Sequence, residues 1–272
     1  MVTPTLNADV GEPAVSTRIR KNGQVIASLT DWEKYAGPKS SDQWVDDRSA
    51  KEAARAWLAG GELLPPEISS ALAGHPEFGE VLDWSAEPEA KLLFDDFAGE
   101  PRNSDLVVHA RDAKGSYLIA VEAKADEPFS DSIEVTIKKA EARQTANPRS
   151  NGLNRVSQLG EALFRNEMAI NPVFKSLRYQ LLTASAGALC EAERKGYGRA
   201  VLMIQEFITR KTDDDNHLKN GLDLRNFINA IHAGAMAAPE SGVLYGPFFV
   251  PGGKLLKAPP QLYIGKVVRN LR

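Results

Sequence analysis

A turn between two apolar runs constrains this chain more than any other feature. Ser104-Asp105-Leu106-Val107-Val108 leads, through Asp112-Ala113-Lys114-Gly115, into Leu118-Ile119-Ala120-Val121-Glu122-Ala123-Lys124. Asp at the first position and Gly at the last fit a type I turn. A hairpin centred between Ala113 and Lys114 sets Asp105 directly opposite Glu122. A bulge at Gly115 would slip that register by one. Side chains alternate along a strand, so Glu122 and Lys124 share one face while Ile119, Val121 and Ala123 share the other. Asp105, Val107 and His109 likewise share a face. Opposed Cβ atoms lie about 5 Å apart, close enough for one cation to bridge the two carboxylates.

Two carboxylates brought together away from water are costly unless a cation compensates. Oxygen donors with open water positions suit Mg²⁺. Two carboxylates and an ammonium converging on one spot are what Mg²⁺-dependent phosphodiester hydrolysis needs. The plainer alternative is an edge hairpin with solvated charges, Lys124 pairing with Glu122 or Asp126.

The flanking pattern is mixed. Thr17 to Leu29 reads as a strand or hairpin broken at Asn22-Gly23. Ser49 to Ala59 reads as a helix, with Ser49 as N-cap and Glu52 completing a capping box. Pro65-Pro66 opens a helix through Leu72, and Glu77 to Trp84 is a further helix candidate. Strands are expected at Lys91–Phe97, 104–111 and 116–125. Helices follow over Ser132–Ala146, Asn154–Phe164 and Lys175–Lys195, then a buried strand over Arg199–Thr209. A helix over Leu218–Ala237 and a strand over Leu262–Val268 close the chain. Residues 1–15 read as loosely ordered. The expectation is an α/β fold: a mixed sheet covered by helices, with residues 1–84 as an N-terminal helical and β extension packed on a core of residues 85–272.

Net charge is −3, which does not advertise a nucleic-acid binder, but it is unevenly spread. Residues 76–131 carry a net −9 around the proposed site, and residues 132–272 a net +8. The basic half includes Lys138, Lys139 and Arg143 on one expected helix and could supply phosphate contacts. Both blocks also fit ordinary solvated faces. No apolar run approaches the roughly 18 residues of a membrane span. Met1 to Val15 lacks the apolar core of a signal peptide. The one cysteine, Cys190, excludes an internal disulfide and fits a reducing cytoplasm. It falls on a helical apolar face with Leu182 and Leu189. Trp32, Trp44, Trp57 and Trp84 read as core residues rather than base-stacking platforms. Scattered histidines exclude a zinc cluster. Asp213-Asp214-Asp215 reads as a solvated loop. Gly252-Gly253-Lys254 lacks the rest of a P-loop, and Thr183–Gly187 lacks the first Gly of a nucleophile elbow.

Asp105 and Glu122-x-Lys124 on the second and third strands, in this element order, resemble the PD-(D/E)xK, or restriction-endonuclease-like, nuclease superfamily over about residues 85–210. Ser104 stands where the nominal Pro would be. Within the superfamily the chain is similar to a bacterial family through three stretches: Asp31-Trp32 to Glu52, Asn103 to Glu127, and Leu177-Arg178-Tyr179-Gln180-Leu181-Leu182. The resemblance implies that Asp105, Glu122 and the Ala123 carbonyl ligate Mg²⁺ (or Mn²⁺), and that Lys124 orients the attacking water and stabilises charge on the phosphate. It implies an upstream acid at the metal, Glu89 or else Glu80, and a Gln or Arg from a following helix. Arg178 and Gln180 fit that role, with Arg155 and Gln158 as rivals. Arg178 and Gln180 are two apart and do not share a helix face, so at most one of them points inward. The implied activity is cytoplasmic hydrolysis of DNA, with Arg155 and Arg178 added to the nucleic-acid contacts and a homodimer as one assembly. Alternatives are an inactive member of the fold that binds nucleic acid or protein, and hydrolysis of a small phosphate or nucleotide.

Overall fold

The hairpin keeps the register its turn dictates. Asp112 pairs with Gly115 and Leu106 with Val121, without a slip. Gly115, at φ +121°, occupies a conformation that L side chains rarely adopt. The structure, a computed structural model, describes residues 18–97, 102–164, 172–235 and 237–272. The expectation for residues 1–15 lies outside them.

Besides a short 3-10 turn at Ser41–Gln43, the elements are β1 (Arg20–Lys21), β2 (Gln24–Val25), α1 (Leu29–Ala36), α2 (Ser49–Ala59), α3 (Pro66–Ala73), β3 (Asp83–Leu92), β4 (Arg102–Asp112), β5 (Gly115–Lys124), α4 (Ile133–Ala146), α5 (Gly152–Phe164), α6 (Pro172–Ser176), α7 (Tyr179–Arg194), β6 (Arg199–Ile208), α8 (Asp214–His232), β7 (Val243–Phe248) and β8 (Gln261–Asn270). The main sheet has the order β3-β4-β5-β6-β8-β7. β3, β4 and β5 run antiparallel, β5, β6 and β8 parallel, and β7 antiparallel to β8. The fold is α/β, with a mixed six-stranded sheet flanked by helices.

β5 is paired on both sides and buried on both faces. Its even positions, Leu118 and Ala120, join the core formed by α5, α7 and α8. Its odd positions, Tyr117, Ile119, Val121 and Ala123, join a second core built from α1, α2 and α3. All four tryptophans are buried in that second core, as expected. Cys190 is half-buried against the first core, its thiol facing the Leu255 carbonyl.

Several expectations change. The segment after Glu77 is not a helix: it loops into β3, which begins at Asp83 and ends at Leu92, short of Phe97. Trp84 and Ala86 alternate with polar neighbours, the period of a strand. Pro88 is tolerated because β3 lies at the sheet edge. The expected 175–195 helix divides at Leu177-Arg178. There Leu177 accepts from Ile133 N–H (2.8 Å), and Tyr179 N–H donates to Asp131 (3.0 Å), so backbone pairing with the 131–133 segment outweighs helical continuity. α8 starts earlier than expected, capped by Asp213, and ends at His232. The Asp213–Asp215 run is thus a helix start rather than a loop. α1 was not anticipated, although Ser28 caps it by accepting from Asp31 N–H. Nor was β7, whose Gly246-Pro247 obscures the pattern. The Ser49 capping box does not form. Arg48 is the N-cap, the Ser49 hydroxyl donates to Glu127 (2.5 Å), and Glu52 accepts from Asp47 N–H (2.9 Å).

The turn end of the hairpin is locked by a buried ion pair. Arg199 grips both oxygens of Asp112 at 2.7 and 2.9 Å and donates to the carbonyls of Glu77 and Gly115. Its guanidinium lies over Phe78 and Tyr117. Burial pushes the Asp112 carboxyl up, but Arg199 and the N–H groups of Gly79 and Lys114 outweigh it and hold the group at about 2. Its stabilisation is therefore present above pH ~4, the ordinary Asp value, and is lost as pH falls through about 2. Arg199→Met should lower unfolding stability by about 3 kcal/mol in urea denaturation at pH 7. The gap to wild type should narrow as pH falls from 4 to 2. A gap independent of pH would show that the pair is not what stabilises this end.

Candidate functional site

At the opposite end of the hairpin, the unslipped ladder carries Asp105 across from Glu122. The β3–β4 ladder pairs Pro88 with Leu106 and Ala90 with Ser104, which sets Glu89 across from Asp105. Three carboxylates thus occupy one row across three strands. Glu89 has φ +49°, an uncommon conformation for a residue with a side chain. The facing pattern of β3 changes around it: Trp84 and Ala86 face the second core, Ala90 and Leu92 the first.

The side chains in this row differ in environment. Asp105 is half-buried and accepts from Ala123 N–H at 2.7 Å. Burial, and then the charge of Glu122, push its carboxyl up to about 7, against the opposing pull of Lys124 and that N–H. Glu122 is fully buried. It accepts from Gln180 Nε2 at 2.8 Å and touches Arg102 Nη2 as an ion pair. Its Oε1 nonetheless has no hydrogen bond. Glu89 is pushed up by burial and accepts from Asn103 (3.1 Å), while its carbonyl accepts from Lys21 Nζ (2.8 Å). Among the described residues, no three His, Cys, Asp or Glu side chains are grouped so as to hold a metal ion. Any cation here therefore depends on fewer side-chain donors plus backbone and water.

Lys124 departs from the plainer expectation of an edge salt bridge. Glu122 is held by Arg102 and Gln180, and Asp126 by Arg48 at 2.6 and 2.7 Å. Lys124 is 8 % exposed. Its ammonium lies 5.4 Å from the Phe129 ring centre, and no salt bridge to a described carboxylate engages it.

Asp105, Ala123, Lys124 and Glu89 line a cavity of about 210 Å³, closed by Trp32, Pro38, Ser49 and Ala53 from the N-terminal extension. That extension is fastened by Arg48 to Asp126 and Ser49 to Glu127. Burial raises the Glu127 carboxyl, but Ser49 and Ala125 N–H outweigh it and hold it below the usual range. On the other side, Arg102, Gln180, Tyr179 and Arg155 line a cleft of about 440 Å³. The three stretches behind the family resemblance, around Trp32–Glu52, Asn103–Glu127 and Leu177–Leu182, all contribute to these two spaces.

The remaining expected residues divide. Gln180 reaches Glu122, fixed by Ser130 through its backbone and side chain. Arg178 turns away to Asp223 (2.8 Å) and the Ser130 carbonyl. Arg155 grips Asp95 at 2.5 and 3.0 Å on the cleft wall. Gln158 lines a neighbouring cavity. Lys138, Lys139 and Arg143 lie on the exposed face of α4, the lysines engaged with Glu134 and Asp131 and Arg143 with the Lys139 carbonyl. Glu80 is exposed beside Gly79, whose N–H contacts Asp112 at the far, turn end of the hairpin.

Two groups escaped the sequence reading. Arg102 begins β4, three residues before Asp105, and its reach to Glu122 is a matter of rotamer. Glu206 on β6 pairs in register with Lys124. Its buried carboxylate faces His217 Nδ1 (3.0 Å) and Lys266 Nζ (3.5 Å), and burial pushes it up against both. An acid inside the apolar run Ala200–Phe207 was the available signal.

The family model described as Domain of unknown function (DUF6946) matches residues 25–270. The chain belongs to the DUF6946 family. No curated protein and no solved structure matches it. Among the described residues of this DUF6946 chain, no helix is long and apolar enough to cross a membrane.

Asp105 and Glu122 crowd two negative charges into one part-buried row, so removing one should relieve the fold. Asp105→Asn keeps an acceptor for Ala123 N–H. It should raise stability at pH 8, without divalent cations, by about 1 kcal/mol, read by urea denaturation. A loss of stability of that size would mean that the carboxylates are compensated from within the fold.

Proposed function

We propose that this DUF6946 chain is a Mg²⁺-dependent nuclease that hydrolyses phosphodiester bonds in DNA, in the cytoplasm, from a restriction-endonuclease-like core. The observation that carries the reading is Lys124: a buried ammonium that makes no salt bridge among the described residues, on the strand and face that bring Glu122 across from Asp105. Glu122 and Asp126 are engaged by Arg102 and Arg48, and Lys124 acts on Asp105 and Glu127 through its charge without a salt bridge.

The residues fit a divalent cation in their donor chemistry. Asp105 opens on a cavity, Glu122 Oε1 is buried with only the Arg102 ion pair on it, and both offer hard oxygens. Asp105 and Glu122, with the Ala123 carbonyl, would hold Mg²⁺ or Mn²⁺, and water would complete the shell. When bound, such a cation would supply Lewis-acid polarisation of a phosphoryl oxygen. Lys124 orients the attacking water and offsets charge developing on the phosphate. Gln180 fixes the Glu122 carboxylate. Glu89 sets the local field from the next strand. The exposed face of α4, with Lys138, Lys139 and Arg143, offers phosphate contacts away from the reacting bond. Arg155, committed to Asp95, supports the cleft wall, while Arg178 is committed to Asp223 away from it.

Purified protein with Mg²⁺ and plasmid or single-stranded DNA should cleave. Lys124→Ala should lower the rate by about 100-fold or more while keeping the wild-type circular dichroism. No cleavage by wild type, or equal cleavage by wild type and Lys124→Ala, rejects the reading.

One observation favours a second reading, an inactive member of the fold that binds nucleic acid or protein. Arg102 already neutralises Glu122 from within the chain. In that case Mn²⁺ would not raise the Tm, and Asp105→Asn would match wild type in nucleic-acid binding.

A further inference from the structure

Among the described residues seven buried side-chain polar atoms lack hydrogen bonds, and two of them, Arg102 Nε and Glu122 Oε1, belong to the same contact. Their side chains are 13 % and 1 % exposed. They meet as an ion pair through Arg102 Nη2, without the geometry of a hydrogen bond at Oε1. The other terminal nitrogen, Nη1, makes a long bond of 3.3 Å to Thr183. Arg155, a second guanidinium in the same cleft, contrasts sharply, gripping both oxygens of Asp95. A guanidinium cannot relieve poor pairing by losing its proton, and a buried polar group left without a hydrogen bond is destabilising.

Glu122 is held by a single nitrogen of Arg102, while Arg102 Nε makes no hydrogen bond, so a cation could replace the guanidinium at the carboxylate and an anion could engage the freed guanidinium. Arg102 faces a cleft of about 440 Å³, walled by Tyr179, Gln180, Thr183 and Ser130, which leaves room for a phosphoryl group and part of a nucleoside. Planar, bidentate recognition of phosphate is what arginine does best.

We propose that Arg102 is an exchangeable counter-ion. In the free protein it holds Glu122. When a divalent cation takes its place there, Arg102 turns into the cleft and clamps the phosphate of a nucleotide substrate. This rests on the nuclease reading and adds where the phosphate is held and why cation and phosphate bind together. The displaced guanidinium and the cation put two positive groups side by side, and the phosphate anion compensates both. Each ligand alone therefore binds weakly, and each strengthens the other.

Titration calorimetry with Mn²⁺ and thymidine 5′-monophosphate tests this. For wild type, saturating nucleotide should tighten Mn²⁺ by about tenfold or more. Arg102→Met should bind Mn²⁺ alone more tightly than wild type, because nothing competes for Glu122, while the nucleotide loses its effect. A merely structural arginine would not move these two quantities in opposite directions. Arg102→Lys keeps a counter-ion on Glu122 and covers the case in which the methionine variant fails to fold. It should retain weak Mn²⁺ binding with the coupling cut several-fold. Coupling unchanged in whichever variants fold overturns the proposal and leaves the nuclease reading standing. Uncut DNA with intact Mn²⁺–nucleotide coupling overturns hydrolysis alone. Wild type that binds no Mn²⁺ overturns both.

Discussion

The rest of the structure depends on the double pairing of β5. Antiparallel β4 on one side and parallel β6 on the other leave no backbone group of its centre to solvent, and both faces are packed. A one-residue slip would exchange its two faces between two differently shaped cores. The register is therefore fixed by burial over the whole strand as well as by the turn. Everything at the far end inherits it: Asp105 across from Glu122, Glu89 across from Asp105, and Glu206 beside Lys124.

The charges at that end are arranged in a way that a purely structural cluster would not need. At the turn end, Asp112 and Arg199 satisfy one another with bidentate geometry and additional carbonyls. At the site end, Asp105 is pushed up by burial and its neighbour, Glu122 meets Arg102 through one nitrogen without hydrogen-bond geometry, and Lys124 rests on an aromatic ring. The same hairpin thus has one end optimised for stability and one left electrostatically incomplete. Incomplete pairing in a part-buried place is a feature of functional sites, where stability is given up for chemistry.

The N-terminal extension is part of this arrangement. It closes the cavity over Asp105 and Lys124 and is tied by Arg48 and Ser49 to the acidic residues that follow β5. This explains why Ser49 does not cap its own helix: its hydroxyl is spent on Glu127, and Glu52 satisfies the entering backbone instead.

The sequence by itself determined the α/β alternation and the hairpin, because turn chemistry and period-two patterning act between neighbours in the chain; it left the register open to a one-residue slip, which burial of β5 on both faces closed. It also placed the four tryptophans in a core, since large apolar surfaces have little alternative. It narrowed the choice between Arg178 and Gln180 by helix geometry, but not to one of them. The tertiary structure decided that, when pairing of residues 131–133 with 177–179 broke the helix and aimed Gln180 at Glu122. It also brought in Arg102 and Glu206, whose roles depend on a rotamer and on a strand some 80 residues away. It withdrew the helix expected before Trp84, where edge-strand pairing outweighed local preference. Contacts made by long side chains and distant strands are set by packing, and no local pattern encodes them.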